Sequence, residues 1–88
     1  MKALILDDIR ISREGLAALL HKINPDIEIA ASVATVEEAK QVFDEMSIDV
    51  AFLDIQLQAG TSFELVDEIP FETKVVFITA YDEHAIAA

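Results

Sequence analysis

The sequence has no cysteine, only two glycines and two prolines, and six basic side chains against seventeen acidic ones. Without thiols there is neither a disulfide framework nor a thiolate metal site, which suits a reducing compartment. The two glycines, Gly15 and Gly60, form neither a G-x-G-x-x-G turn nor a P-loop pattern, so those nucleotide-binding modes are not expected. The formal charge of -11 repels nucleic-acid phosphates and anionic lipid surfaces, so direct binding to either is not expected. The first apolar run, Ala3 to Leu6, is far too short for a membrane span or a signal-peptide core, and a cytoplasmic location is expected. What is present is a composition that is 53% hydrophobic in 88 residues: enough for one packed domain, 1–88, and not for a second.

Along the chain, apolar runs alternate with helical spacing. Ala3 to Leu6 stops at Asp7-Asp8 and reads as a strand buried on both faces. Leu16, Leu19, Leu20 and Ile23 then mark one face of a helix that ends before Pro25. Ile27 to Val33 is a second strand. Thr35 and Glu38 form a capping box for a second helix that buries Ala39, Val42, Phe43 and Met46. Val50 to Leu53 is a third strand, ending at Asp54. Beyond a turn around Gly60, Thr61 and Glu64 repeat the capping spacing for a short helix with Phe63, Leu65 or Val66, and Ile69 inward, until Pro70 stops it. Lys74 to Thr79 is the fourth strand, and Asp82 opens a further helix through His84 and Ile86. Strands alternating with helices predict an α/β fold with right-handed crossovers and a parallel sheet covered on both sides.

In such a sheet, ligands bind beyond the carboxyl ends of the strands. Adjacent strands lie about 4.8 Å apart, so if the first and third are neighbours, Asp7, Asp8 and Asp54 converge. Three like charges in one pocket call for a cation, and an all-oxygen donor set matches Mg²⁺. Beside Mg²⁺ a carboxylate can attack a phosphoryl group and become an aspartyl phosphate. Asp54 is the expected nucleophile. Asp7 and Asp8 hold the metal, with the Gln56 backbone carbonyl as a further ligand. Thr79 offers a hydroxyl to phosphoryl oxygens, and Ala80 leaves room for the donor. Taken singly, Asp7 and Asp8 could equally cap the first helix. His21 and His84 lack partners at metal-ligand spacing and receive no role, and Phe43, Phe52, Phe63 and Phe77 are expected in the core.

The segments LILDD at 4–8, FLDIQLQAGTSFEL at 52–65 and VVFITAYDEHA at 75–85 together resemble the receiver domain of bacterial two-component response regulators, most closely the LytTR-type subgroup. The resemblance implies a flavodoxin-like, doubly wound sheet, here of four strands in the order 2-1-3-4. It implies that Asp54 accepts a phosphoryl group from a sensor histidine kinase, that Asp7 and Asp8 bind Mg²⁺, and that Thr79 is the switch hydroxyl. The protein is then a signalling module and not an enzyme, and a DNA-binding effector domain follows in the full-length regulator. The sequence departs from the family at Ile9, where a third acidic residue is common, and at Gln58, where proline is common. A receiver also has a fifth strand, a fifth helix and a lysine after that strand; these need about 30 further residues by ordinary element lengths. The chain therefore reads as a receiver truncated at its C-terminus. The alternative is a non-signalling fragment that self-associates or exchanges strands through its exposed fourth strand. An aspartate-nucleophile phosphatase is disfavoured because Gln56 stands where a second aspartate would act as general acid.

Overall fold

A computed structural model describes residues 1–57 and 60–78. The chain runs β1 (Lys2–Leu6), α1 (Arg10–Ile23), β2 (Glu28–Val33), α2 (Val36–Glu45), β3 (Val50–Asp54), β4 (Gln56–Leu57), β5 (Gly60–Thr61), a 3-10 helix (Ser62–Glu68) and β6 (Lys74–Ile78). The main sheet has four parallel strands in the order β2-β1-β3-β6, the 2-1-3-4 order expected for the four principal strands. β4 and β5 form a separate two-residue antiparallel ladder. The expected turn around Gly60 thus contains a small hairpin, too short for any hydrophobic period to announce it.

β1 is buried over four consecutive residues, Ala3 to Leu6, because both faces of the central strands are covered. Leu4 and Leu6 sit in register with Ala51 and Leu53 of β3. These four pack on one sheet face with Ala39 and Phe43 of α2, with Ile48, and with Leu65 of the 3-10 helix. Thr35 and Glu38 do form the capping box that opens α2. Met46, expected inward, is 38% exposed. It is the C-cap, with extended φ and ψ of -148° and 158°, so its side chain leaves the helix face. In the next segment Leu65 is the buried residue and Val66 is exposed, while Ile69 is half-buried against the core. The expectation for the Phe63 side chain lies outside the described residues, as does the helix from Asp82.

The other sheet face is covered by α1, whose inward side differs from the one anticipated. Leu20 is buried and Leu16 half-buried, but Leu19 and Ile23 are 51% and 68% exposed. The inward row is Arg13, Leu16, Ala17 and Leu20, which has the same three-and-four spacing displaced by three residues. A charged residue at the head of that row hid it. Of the phenylalanines expected in the core, Phe43 is buried, Phe52 half-buried and Phe77 39% exposed, the last on β6 at one end of the sheet order among the described residues.

The amino ends of three strands meet at Asp49. Its N–H donates to the Lys2 carbonyl at 2.8 Å, its Oδ2 accepts from the Lys2 N–H at 2.7 Å, and its carbonyl accepts from the Lys74 N–H at 2.9 Å. Next to it, the buried Thr73 hydroxyl donates to the Ile48 carbonyl at 2.6 Å. The starts of β1, β3 and β6 are thereby tied to one another.

Candidate functional site

At the opposite, carboxyl end of the sheet, β1 runs into Asp7-Asp8 and β3 ends at Asp54. The adjacency of β1 and β3 that the sequence reading required is observed. One carboxylate oxygen from each of Asp7, Asp8 and Asp54 lies within 4.8 Å of the others. Asp54 is 8% exposed, whereas Asp7 and Asp8 are half-buried. Beneath them lies a cavity of about 150 Å³ with an apolar floor of Ile5, Leu16, Phe52 and Ile78, and with Ser12 in its wall. An apolar floor lowers the local dielectric and strengthens both the repulsion among the carboxylates and their attraction for a cation. Three carboxylates offer the oxygen donors that a hard divalent ion of the Mg²⁺ type prefers.

Asp7 is fixed at three points. Its N–H donates to the Val33 carbonyl at the end of β2 at 3.1 Å. Its Oδ1 accepts from the Ile9 N–H at 2.9 Å. Its backbone carbonyl accepts from the Arg13 guanidinium at 2.8 Å, a part-buried bond. The N-cap position of α1 is taken by Ile9, not by Asp7 or Asp8. Asp7 instead closes a short loop onto Ile9, and this leaves the pair facing Asp54. Arg13 is the residue that the sequence reading missed. Its only signal was its place three and four residues before Leu16 and Ala17, on the row that proves to be inward.

The neighbouring loop, between β2 and α2, is organised by Glu38. Its Oε1 accepts from the N–H groups of Ala34 at 3.0 Å and Thr35 at 3.2 Å. The Ala34 bond is the chief reason its carboxyl stays below the ordinary glutamate range; desolvation opposes it, and the Thr35 bonds and the Arg13 charge add further lowering. Gln56 opens β4 two residues beyond Asp54. Ile78, the last residue of β6, is in register with Asp54. The sequence-predicted residues Thr79 and Ala80 lie outside the described residues. No helix among those residues is long and apolar enough to cross a membrane.

A parallel sheet in this order, with acidic residues gathered at the carboxyl ends of its two central strands, defines a doubly wound, flavodoxin-like fold. Residues 3–88 match the response regulator receiver domain, and the chain belongs to that family. It is 38% identical over 90 residues to an uncharacterized response regulatory protein of Vibrio cholerae, covering all of this chain and 38% of that protein. It is 40% identical over 90 residues to the transcriptional regulatory protein BtsR of Salmonella typhi, covering all of this chain and 37% of BtsR. The chain therefore spans well under half the length of these curated relatives. Among solved structures it is similar to the response regulatory domain of MrkE from Klebsiella pneumoniae, with a TM-score of 0.81 and 27% identity, over 98% of this chain and 72% of that one. A two-component response regulator of the LuxR family from Aurantimonas shares the fold, with a TM-score of 0.82 at 24% identity over 98% of this chain and 63% of that one.

Proposed function

We propose that Asp54 is the phosphoacceptor of this receiver and takes its phosphoryl group from the phosphohistidine of a sensor kinase. The observation that supports this is the meeting of three carboxylates from two separated stretches of chain within 4.8 Å. In this reading Mg²⁺ is held by Asp7, Asp8, Asp54 and the Gln56 backbone carbonyl, an all-oxygen set. When bound, it offsets the repulsion between the carboxylate and the phosphoryl oxygens. An Asp54 oxygen forms the new O–P bond as the N–P bond of the donor breaks, and the departing imidazole takes up a proton. Burial of Asp54 against Phe52 and Ile78 limits the approach of bulk water to the product. Thr79 then donates its hydroxyl to a phosphoryl oxygen, with the small Ala80 beside it leaving the approach open. The modification adds about 1.5–2 negative charges and three acceptor oxygens, enough to reshape the face beyond β6 for an effector.

The segment 52–65 and the segment 75–85 favour the LytTR-type subgroup. Residues 1–88 are read as one receiver unit of a cytoplasmic regulator whose DNA-binding effector domain lies elsewhere in the full-length protein; the similarity to the transcriptional regulatory protein BtsR supports that output. The test is to incubate the chain with Mg²⁺ and a small phosphodonor and to follow intact mass. The wild type gains one phosphoryl group and Asp54→Ala gains none. Equal labelling of the two, or no labelling of the wild type, overturns the assignment.

A second reading is favoured by β6, which ends the strand order among the described residues and exposes Val75, Val76 and Phe77 to between 37% and 42%. An apolar edge strand is a template for pairing with another chain. The 88-residue chain then self-associates through β6, and a monomeric mass at micromolar concentration in sedimentation would exclude this.

A further inference from the structure

We infer that Arg13 is a positioning residue for the metal-holding loop: its guanidinium, by binding the Asp7 backbone carbonyl, fixes the peptide from which the Asp7 and Asp8 carboxylates project. The inference rests on the reading of that cluster as a Mg²⁺ site. Three observations support it. Arg13 stands at the head of the inward row of α1, half-buried where a charged side chain has no packing reason to be. Its 2.8 Å bond goes to the carbonyl of the Asp7–Asp8 peptide itself, so rotation of that peptide breaks it. The Asp7 N–H and Oδ1 are tied to Val33 and Ile9, so Arg13 adds a third restraint on a loop that contributes two of the three clustered carboxylates.

The sign of the effect on metal affinity separates positioning from the alternatives. A positive charge next to a cation site repels the cation, so by Coulomb's law alone removing Arg13 tightens Mg²⁺ binding. A residue that serves only the packing of α1 changes stability and leaves affinity alone. A residue that orients ligands weakens binding when it is lost, by about 10–100-fold for outer partners of metal ligands. Arg13→Met keeps the aliphatic stem and removes the donors. Arg13→Lys keeps the charge and an ammonium donor on a shorter reach, without the planar fork.

The experiment is a Mg²⁺ titration of the wild-type chain and both variants by amide NMR at a temperature where each is folded, with exchange of the Ile9 amide measured in chelator. The expected result is at least a ten-fold loss of affinity in Arg13→Met, a smaller loss in Arg13→Lys, and faster Ile9 exchange in Arg13→Met before any metal is added. Unchanged or tighter binding in Arg13→Met overturns the inference and leaves the metal reading intact. A wild-type chain that takes up no Mg²⁺ overturns both. If Arg13→Met does not fold, Arg13→Leu, which likewise lacks donors and charge, takes its place, and equal or tighter binding there overturns the inference.

Discussion

Replacing Asp54 with asparagine removes one charge from a group of three with little change in shape. At 4.8 Å, the upper bound on the distance between the clustered oxygens, one pair of unit charges repels by about 0.9 kcal/mol in water and about 3.5 kcal/mol at an effective dielectric constant of about 20. Asp54→Asn abolishes two of the three pairs. Asp7 and Asp8 are half-buried, so solvent and salt reduce the total, and about 1–3 kcal/mol of relief is expected in metal-free protein. In a domain of this size that corresponds to a melting temperature higher by about 4 °C or more. Saturating metal reverses the order. A ligand at 100 times its Kd stabilises the folded state by about 2.7 kcal/mol, and the wild type gains this whereas the variant, short of one anionic ligand, gains much less. Thermal unfolding of both proteins, in chelator and in excess Mg²⁺, gives the four values needed. The reasoning fails if Asp54→Asn melts at or below the wild type in chelator, or if both proteins gain equally from the metal.

Two further outcomes concern the frame around the site. Thr73→Val keeps the shape of the side chain and removes the donor to the Ile48 carbonyl; losing a buried bond of this kind costs about 1–3 kcal/mol. A lower urea midpoint at unchanged slope is expected, and an unchanged midpoint would contradict the role given to that hydroxyl. Glu38 has a folded-state pKa below its ordinary value, so its contribution is fully present above the unfolded value of about 4.3 and is lost as pH falls through the folded one. Glu38→Gln keeps capping-box chemistry without a titrating group, so the variant's stability falls less steeply as acid takes the pH below the ordinary glutamate value. Parallel curves for the two proteins would remove Glu38 from the acid response.

The alternation of elements was legible because each central strand is a short apolar run closed by a carboxylate: LILDD at β1 and VAFLD at β3. That same pattern exposed Asp7, Asp8 and Asp54 as a group, since strand adjacency follows from the fold class and the rest is spacing. The face of α1 was not legible. Leu16 and Leu20 fit two overlapping rows, and only the tertiary partner of Arg13, the Asp7 carbonyl, selects between them. The 3-10 geometry of Ser62–Glu68 was equally hidden, because the capping residues and apolar spacing at Thr61 to Ile69 do not distinguish that helix from one turn more of α. Asp49 and Thr73 read as loop residues at the margins of strands, and their bonds to other strands have no local signature.

The polar knot at Asp49 has a consequence at the far end of the molecule. β3 and β6 pair residue for residue from Val50 with Lys74 to Asp54 with Ile78, and β1 runs one residue ahead, with Ala3 beside Val50 and Leu6 beside Leu53, so the residue after β1, Asp7, follows in step with Asp54. One extra residue inserted in β3 would shift Asp54 along the strand by about 3.3 Å and turn its carboxylate through to the face under α2. Alignment at the acidic rim is in this sense fixed a full strand length away, by a residue that never approaches it.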